Sequence, residues 1–224
     1  MKKFGWILWL FLFAGCANDE FEPVVDYFSF FDFVNGVQSW EADAGNYNYE
    51  LENTFELDLV HQEIHNKKVM KLTLKQLPEQ SFVYLRNQIK GLKPATRYQV
   101  TFEIQQEYQF ETGVNLPVAP DTIVYKAGFS NVKPESVVTE NNSFTSVVLN
   151  LDISNPDVNY STVTIKDSLY PQNYGLRTLD NFFNPLVIDT NQSGEFWFIY
   201  GSTIKDINSY SVLFDTIIIY YEEI

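Results

Sequence analysis

With 224 residues, 45% of them hydrophobic and 17% aromatic, the chain has enough apolar surface for a sizeable core, which excludes a disordered protein. Its formal charge of −14 repels phosphate backbones and argues against nucleic-acid binding. The single cysteine, Cys16, excludes an internal disulfide.

The chain opens with Lys2 and Lys3, an apolar run from Phe4 to Phe13 broken only by Gly5, and the small residues Ala14 and Gly15. A run of ten cannot cross a bilayer as a helix, which needs about 20 residues, but it fits the apolar region of a secretory signal. The Phe13-Ala14-Gly15-Cys16 tetrad resembles the lipobox of bacterial lipoproteins, departing at Phe13, where leucine is commoner. The resemblance implies that residues 1–15 are a signal peptide cut before Cys16, whose thiol and amine then carry acyl chains. Loss of Lys2 and Lys3 would leave 13 basic against 29 acidic side chains, a charge of −16. Residues 16–26, with Asp19, Glu20, Glu22 and Pro23, read as an acidic tether. Acidic residues just after the cysteine resemble the surface-export signals of some Gram-negative lipoproteins. That implies an outer-membrane protein anchored by lipid and facing the exterior.

The remaining stretch, 27–224, suits one domain. Tyr27 to Phe33 reads as an aromatic strand ending in an Asn35-Gly36 turn, and Glu41 to Asn53 reads as loop. Phe55 to Val60 alternates as a strand, His65 to Lys68 makes a turn, and Met70, Leu72 and Leu74 mark one face of the next strand. Phe82 to Arg86 follows. Gly91 to Ile104 begins as a Pro94 turn and continues as a strand with Tyr98, Val100, Phe102 and Ile104 on one side. Gln105 to Asp121 reads as loop or broken edge, and Ile123 to Phe129 and Phe144 to Ile153 as strands. Asn155-Pro156-Asp157 is a turn, Thr162 to Lys166 a short strand, and Ser168 to Pro185 the longest irregular stretch. Glu195 to Tyr200 and Leu213 to Tyr221 close the chain; the last is apolar on both faces at Ile217 to Ile219, as in a central strand covered on both sides.

No window carries an amphipathic helix or an internal repeat. About ten strands separated by turn signals predict an all-β, two-sheet antiparallel β-sandwich of jelly-roll type. Three segments, Phe31-Asp-Phe-Val-Asn-Gly-Val-Gln-Ser-Trp40, Gly91-Leu-Lys-Pro-Ala-Thr-Arg-Tyr98 and Leu213-Phe-Asp-Thr-Ile-Ile-Ile-Tyr220, together resemble the galactose-binding-like jelly-roll superfamily, which includes many carbohydrate-binding modules. With Val124-Tyr-Lys-Ala-Gly128 and Phe196-Trp-Phe-Ile-Tyr-Gly201, they are also similar to an uncharacterised family of exported bacterial β-sandwich proteins, which implies no activity. In many of the modules a Glu after the first Asp-Phe helps hold a structural calcium with a late-strand acid. Here that position is Val34, while Asp215 keeps the late acid, so the resemblance implies at most half of that site.

His61 and His65 stand four apart; on a strand that spans about 13 Å, too far to share one ion. Asp152 and Asp157, with Asp215, are the weak calcium candidates, without EF-hand spacing. No nucleophile motif or phosphate loop is present, so neither an enzyme nor a cofactor is expected. The ligand-binding candidates are the long-loop aromatics Tyr170, Tyr174, Phe182 and Phe183 with Arg177 and Asp180 among them; the same rings would also serve to cap an open sandwich end. The expected function is a non-catalytic surface protein binding a glycan, with a polysaccharide or an envelope protein as partner. The alternatives are an assembly subunit of an envelope complex and a jelly-roll hydrolase or lyase.

Overall fold

The computed structural model describes residues 27–78, 80–110, 121–141, 144–151, 160–169, 176–203 and 209–224. In chain order the strands are β1 (Tyr27–Phe31), β2 (Glu41–Gly45), β3 (Tyr47–Asn48), β4 (Glu56–Ile64), β5 (Lys67–Lys75), β6 (Phe82–Ile89), β7 (Arg97–Phe110), β8 (Asp121–Ser130), β9 (Ser136–Asn141), β10 (Phe144–Leu149), β11 (Tyr160–Leu169), β12 (Arg177–Asp180), β13 (Leu186–Asp189), β14 (Phe196–Thr203) and β15 (Tyr210–Glu223). One 3-10 turn, Tyr49–Leu51, is the only helical element among the described residues.

The pairings are nested: β5 with β15, β6 with β14, β7 with β12 and β13, and β8 with β11. First pairs with last and the two middle strands pair with each other, while on either side of that middle pair the paired strands alternate between two sheets. That is a jelly roll, all antiparallel. The first sheet runs β12-β7-β15-β5-β4, with β13 also on β7 and β1 also on β15; the second runs β11-β8-β14-β6-β2. A third, small sheet, β3-β10-β9, covers part of the second sheet's outer face, where Leu149 and Leu151 bury Phe82, Tyr84 and Ile199.

Alternation decides which side chains meet between the sheets. Tyr98, Val100, Phe102 and Ile104 of β7 face Phe196 and Phe198 of β14 and Phe129 of β8, all wholly buried. Their rings lie 5.1–6.4 Å apart in tilted and edge contacts. At one end the turns 91–96 and 190–195 interlock. Lys93 N–H donates to the Tyr98 hydroxyl at 3.1 Å, and Thr96 N–H to Thr190 Oγ1 at 3.0 Å. Gly194, at φ +70, lies so close to the Leu92 carbonyl that no side chain fits.

Several boundaries differ from the sequence reading. The polar stretch 41–53 forms β2 and β3, because Ala44 and Tyr47 find core neighbours. β7 runs on to Phe110, and β12 falls inside the stretch read as irregular. Both are held by ladder bonds to partners distant in sequence, which local composition does not show. β13 lies just after it, and β9 is a further unforeseen strand. The turn between β4 and β5 is only His65-Asn66, both at positive φ, and the strand resumes at Lys67. β15 is central, yet Ile217 to Ile219 is not covered on both sides: Ile217 and Ile219 are fully buried, Ile218 is half-buried and Tyr220 exposed. Its outer face is closed only near Ser211 and Leu213.

Candidate functional site

An open groove of about 440 Å³ is lined by Ser29, Phe31, Gln38, Ser39, Glu41, Gln88, Lys90 and Trp197, among others. That volume lies within the range usual for small-ligand sites, about 300–1,000 Å³. Trp197 belongs to β14, where Phe196 and Phe198 point inward, so its indole stands on the outer face of the second sheet, beyond the cover of the small third sheet. Its register partner across β6 is Gln88, whose amide donates to Glu195 Oε2 at 2.9 Å. The Lys133 ammonium sits 5.6 Å from the centre of the Trp197 ring and also pairs with Glu135 at 3.1 Å.

The opposite wall is the loop 32–40. Asp32 Oδ1 accepts from Val34 N–H at 3.1 Å and from the Gln38 amide at 3.3 Å, closing the loop on itself. Phe33, Gln38 and Ser39 all have positive φ, at 55, 50 and 65. Each such non-glycine residue costs of order 1–3 kcal/mol, which the surroundings must offset. Phe33 is wholly buried, and Asn87, itself buried, donates to the Gln38 carbonyl at 3.0 Å. The loop is therefore held in a strained shape that points Gln38 and Ser39 toward the groove. Among the described residues the Ser39 hydroxyl and the Lys90 ammonium have no partner, so they are available to a ligand.

Glu41 is committed to Arg86 at 2.8 Å. Arg86 also reaches Asp43 at 3.5 Å and the Pro134 carbonyl. Asp43 Oδ2 accepts from the Tyr84 hydroxyl at 2.9 Å, and that hydroxyl also meets Ser136 Oγ at 2.9 Å. This network fastens the small third sheet and frames the groove's rim. Burial pushes the Tyr84 phenol well up, and does the same to Tyr108 and Tyr210 deep in the core. Those last two line an internal space of about 20 Å³ with Gln106, whose Nε2 has no partner among the described residues. It is large enough for about one water.

The residues expected from the sequence fall elsewhere. Cys16, Tyr170, Tyr174, Asp152 and Asp157 lie outside the described residues. Arg177 and Asp180 bound β12 on the first sheet; three apart on a strand, they point to opposite faces and do not form one site. Asp180 instead accepts from Phe182 N–H at 3.1 Å, shaping its own turn. Phe183 is exposed, and Phe182 packs on Tyr220 at 5.9 Å, on the outer face of the first sheet. Those two rings cap no sandwich end. Asp215 stands at the register break of β15 and bonds Lys67 at 3.1 Å. Among the described residues no three of His, Cys, Asp and Glu come together as metal ligands, and His61 and His65 fall in β4 and the turn after it. The groove residues were missed, although one signal was present: Trp197 lies between Phe196 and Phe198 on a strand whose first three inward positions, Phe196, Phe198 and Tyr200, are large aromatics.

No protein-family model and no curated protein matches the chain. Among solved structures it is similar to a family 11 carbohydrate-binding module from Clostridium thermocellum in complex with a β-1,3-1,4-mixed-linked tetrasaccharide, at 10% identity over 85% of this chain and 94% of that one, TM-score 0.41. It is also similar to the mannan-recognising carbohydrate-binding module TmCBM27, at 10% identity over 88% and 98%, TM-score 0.39. A third is the enzymatically active domain of tailspike protein 4 from bacteriophage CBA120, at 8% identity and TM-score 0.35, of which the chain spans 19%. At such scores the likeness adds nothing to the strand pairings, on which the fold assignment rests.

Proposed function

We propose that this protein binds a neutral glycan without catalysis, in the groove between loop 32–40 and Trp197, while held at the cell surface by lipid on Cys16. The observation that carries the binding half is the pairing of an outward indole with a strained, preorganised polar wall. A sugar ring offers an apolar face to stack on the indole and a rim of hydroxyls for Gln38, Ser39, Gln88 and Lys90. The net charge of −14 favours a neutral over an acidic polysaccharide. The anchoring half rests on the leader and its cysteine.

Affinity electrophoresis through neutral polysaccharides, followed by calorimetry on any that retard the protein, tests the reading. Trp197→Ala should weaken the retardation while shifting the melting temperature little, because the ring stands on the outer face. Loss of the stacking platform is worth about 1–3 kcal/mol, or roughly 5- to 150-fold in affinity. Failure of every neutral glycan to retard the wild-type protein, or equal binding by the variant, would remove the groove from the argument.

A further inference from the structure

The outer face of the first sheet carries a strip of rings that the groove does not use. Phe28 and Phe30 point outward from β1 and are 61% and 50% exposed; Phe183 is 96% exposed. In register, Phe28 lies opposite Tyr220 and Phe30 opposite Ile218, and Phe182 leans on Tyr220. Contiguous exposed apolar surface of this kind marks an interaction site. Of the five rings only Tyr220 bears a polar tip, so the strip lacks the hydrogen-bonding groups that orient a sugar.

We infer that this strip rests on the bilayer surface, with zwitterionic lipid as its partner. The inference depends on the lipid anchor proposed for Cys16. Eleven residue steps separate Cys16 from Tyr27, the first residue of β1 and the neighbour of Phe28. Fully extended they reach at most about 40 Å, and as a coil about 18 Å. The tether thus delivers the domain to the membrane with the strip beside its point of entry, and even weak apolar contact becomes an intramolecular event. Glu103, Asp180 and Glu222 flank the rings on β7, β12 and β15, which disfavours anionic headgroups and selects neutral ones. Trp197 stands on the opposite outer face, so a body lying on this strip holds the glycan groove open to the medium.

The full acylated chain carrying Phe183→Trp, reconstituted in phosphatidylcholine vesicles with brominated acyl chains, tests this. Flotation reports the anchor, and bromine quenching reports the strip. The added indole should lose at least about half its emission, since interfacial side chains sit only 5–10 Å into the headgroup and acyl boundary. Trp40, buried, and Trp197, on the far side, serve as unquenched controls. A further Phe28→Ser/Phe30→Ser pair should relieve the quenching without changing flotation, and added phosphatidylglycerol should weaken it. Floating protein with an unquenched indole overturns the inference but leaves the anchor intact. Protein that does not float overturns both. Quenching that fades as surface density rises assigns the strip to a second copy of the chain, and likewise overturns it.

Discussion

Raising the pH above 10 should destabilise this domain through its buried phenols. Tyr84, Tyr108 and Tyr210 are buried to 2% exposure or less, and desolvation raises all three well above the ordinary tyrosine value of about 10. In the unfolded chain they ionise near pH 10, whereas the folded protein keeps their protons. Above pH 10 the native state therefore binds more protons than the unfolded state, and stability falls with pH. Their contribution is fully present below pH 10 and declines as the pH climbs toward their folded values. At pH 11 each phenol withdraws about 1.4 kcal/mol, so the three together remove about 4 kcal/mol. Tyr47, pushed up to about 12 by burial first and then by Glu52 and Asp43, adds a smaller share in the same direction. Against a total stability of about 5–15 kcal/mol this is a large loss, and at about 2–4 °C per kcal/mol it lowers the melting temperature by about 8–16 °C. Calorimetry at pH 9 and pH 11 measures the shift, and near-ultraviolet absorbance follows the phenolates. Tyrosinate from these positions should appear only together with loss of tertiary ellipticity. A melting temperature level to within a few degrees across that interval would refute the argument, as would full ionisation of every tyrosine in a folded protein.

Two substitutions probe the architecture. Asn181 lies buried between β12 and β13, where its carboxamide accepts from Phe102 N–H at 2.6 Å and donates to the Asn184 carbonyl at 3.2 Å, bridging the break in the β7 ladder. Asn181→Ala strands that buried N–H and should cost about 1–3 kcal/mol in denaturant titration; an unchanged midpoint would mean that water replaces the amide. Tyr98→Phe removes only the hydroxyl that accepts from Lys93 N–H and should cost about 1 kcal/mol, whereas Tyr98→Ala should cost about 3–5 kcal/mol. Equal losses for the two would place the stability in the turn rather than in the packed ring.

Much of the scaffold was legible in the chain. Period-two alternation at Tyr98 to Ile104 and at Met70 to Leu74 identified faces that are indeed buried, because burial of one sheet face imposes that period. The Gly91 to Ile104 stretch showed both its turn and its strand for the same reason. β2, β3, β9, β12 and β13 were not legible, since they are two to six residues long and owe their form to partners far away in sequence. Jelly-roll topology entered as an expectation from strand number and the lack of repeats. Only the nested pairings of β5 to β8 with β11 to β15 established it.

The candidate site divides in the same way. The sequence by itself determined that Trp197 stands on the face opposite Phe196 and Phe198, and Phe28 and Phe30 opposite Tyr27, Ser29 and Phe31, because side chains alternate along a strand; which face is outward came only with the packing. It did not determine which outward rings stay uncovered. Ile199 and Tyr84 also point outward, yet they are buried beneath Leu149 and Leu151, while Trp197 on the same strand as Ile199 is left beside a groove. Covering depends on where a third sheet folds back, and that is settled by the pairing of β10 with β3, about a hundred residues away, and by Ser136 meeting Tyr84 and Asp43. Local pattern assigns a side chain to a face of the sheet; only tertiary packing decides whether that face meets protein or solvent.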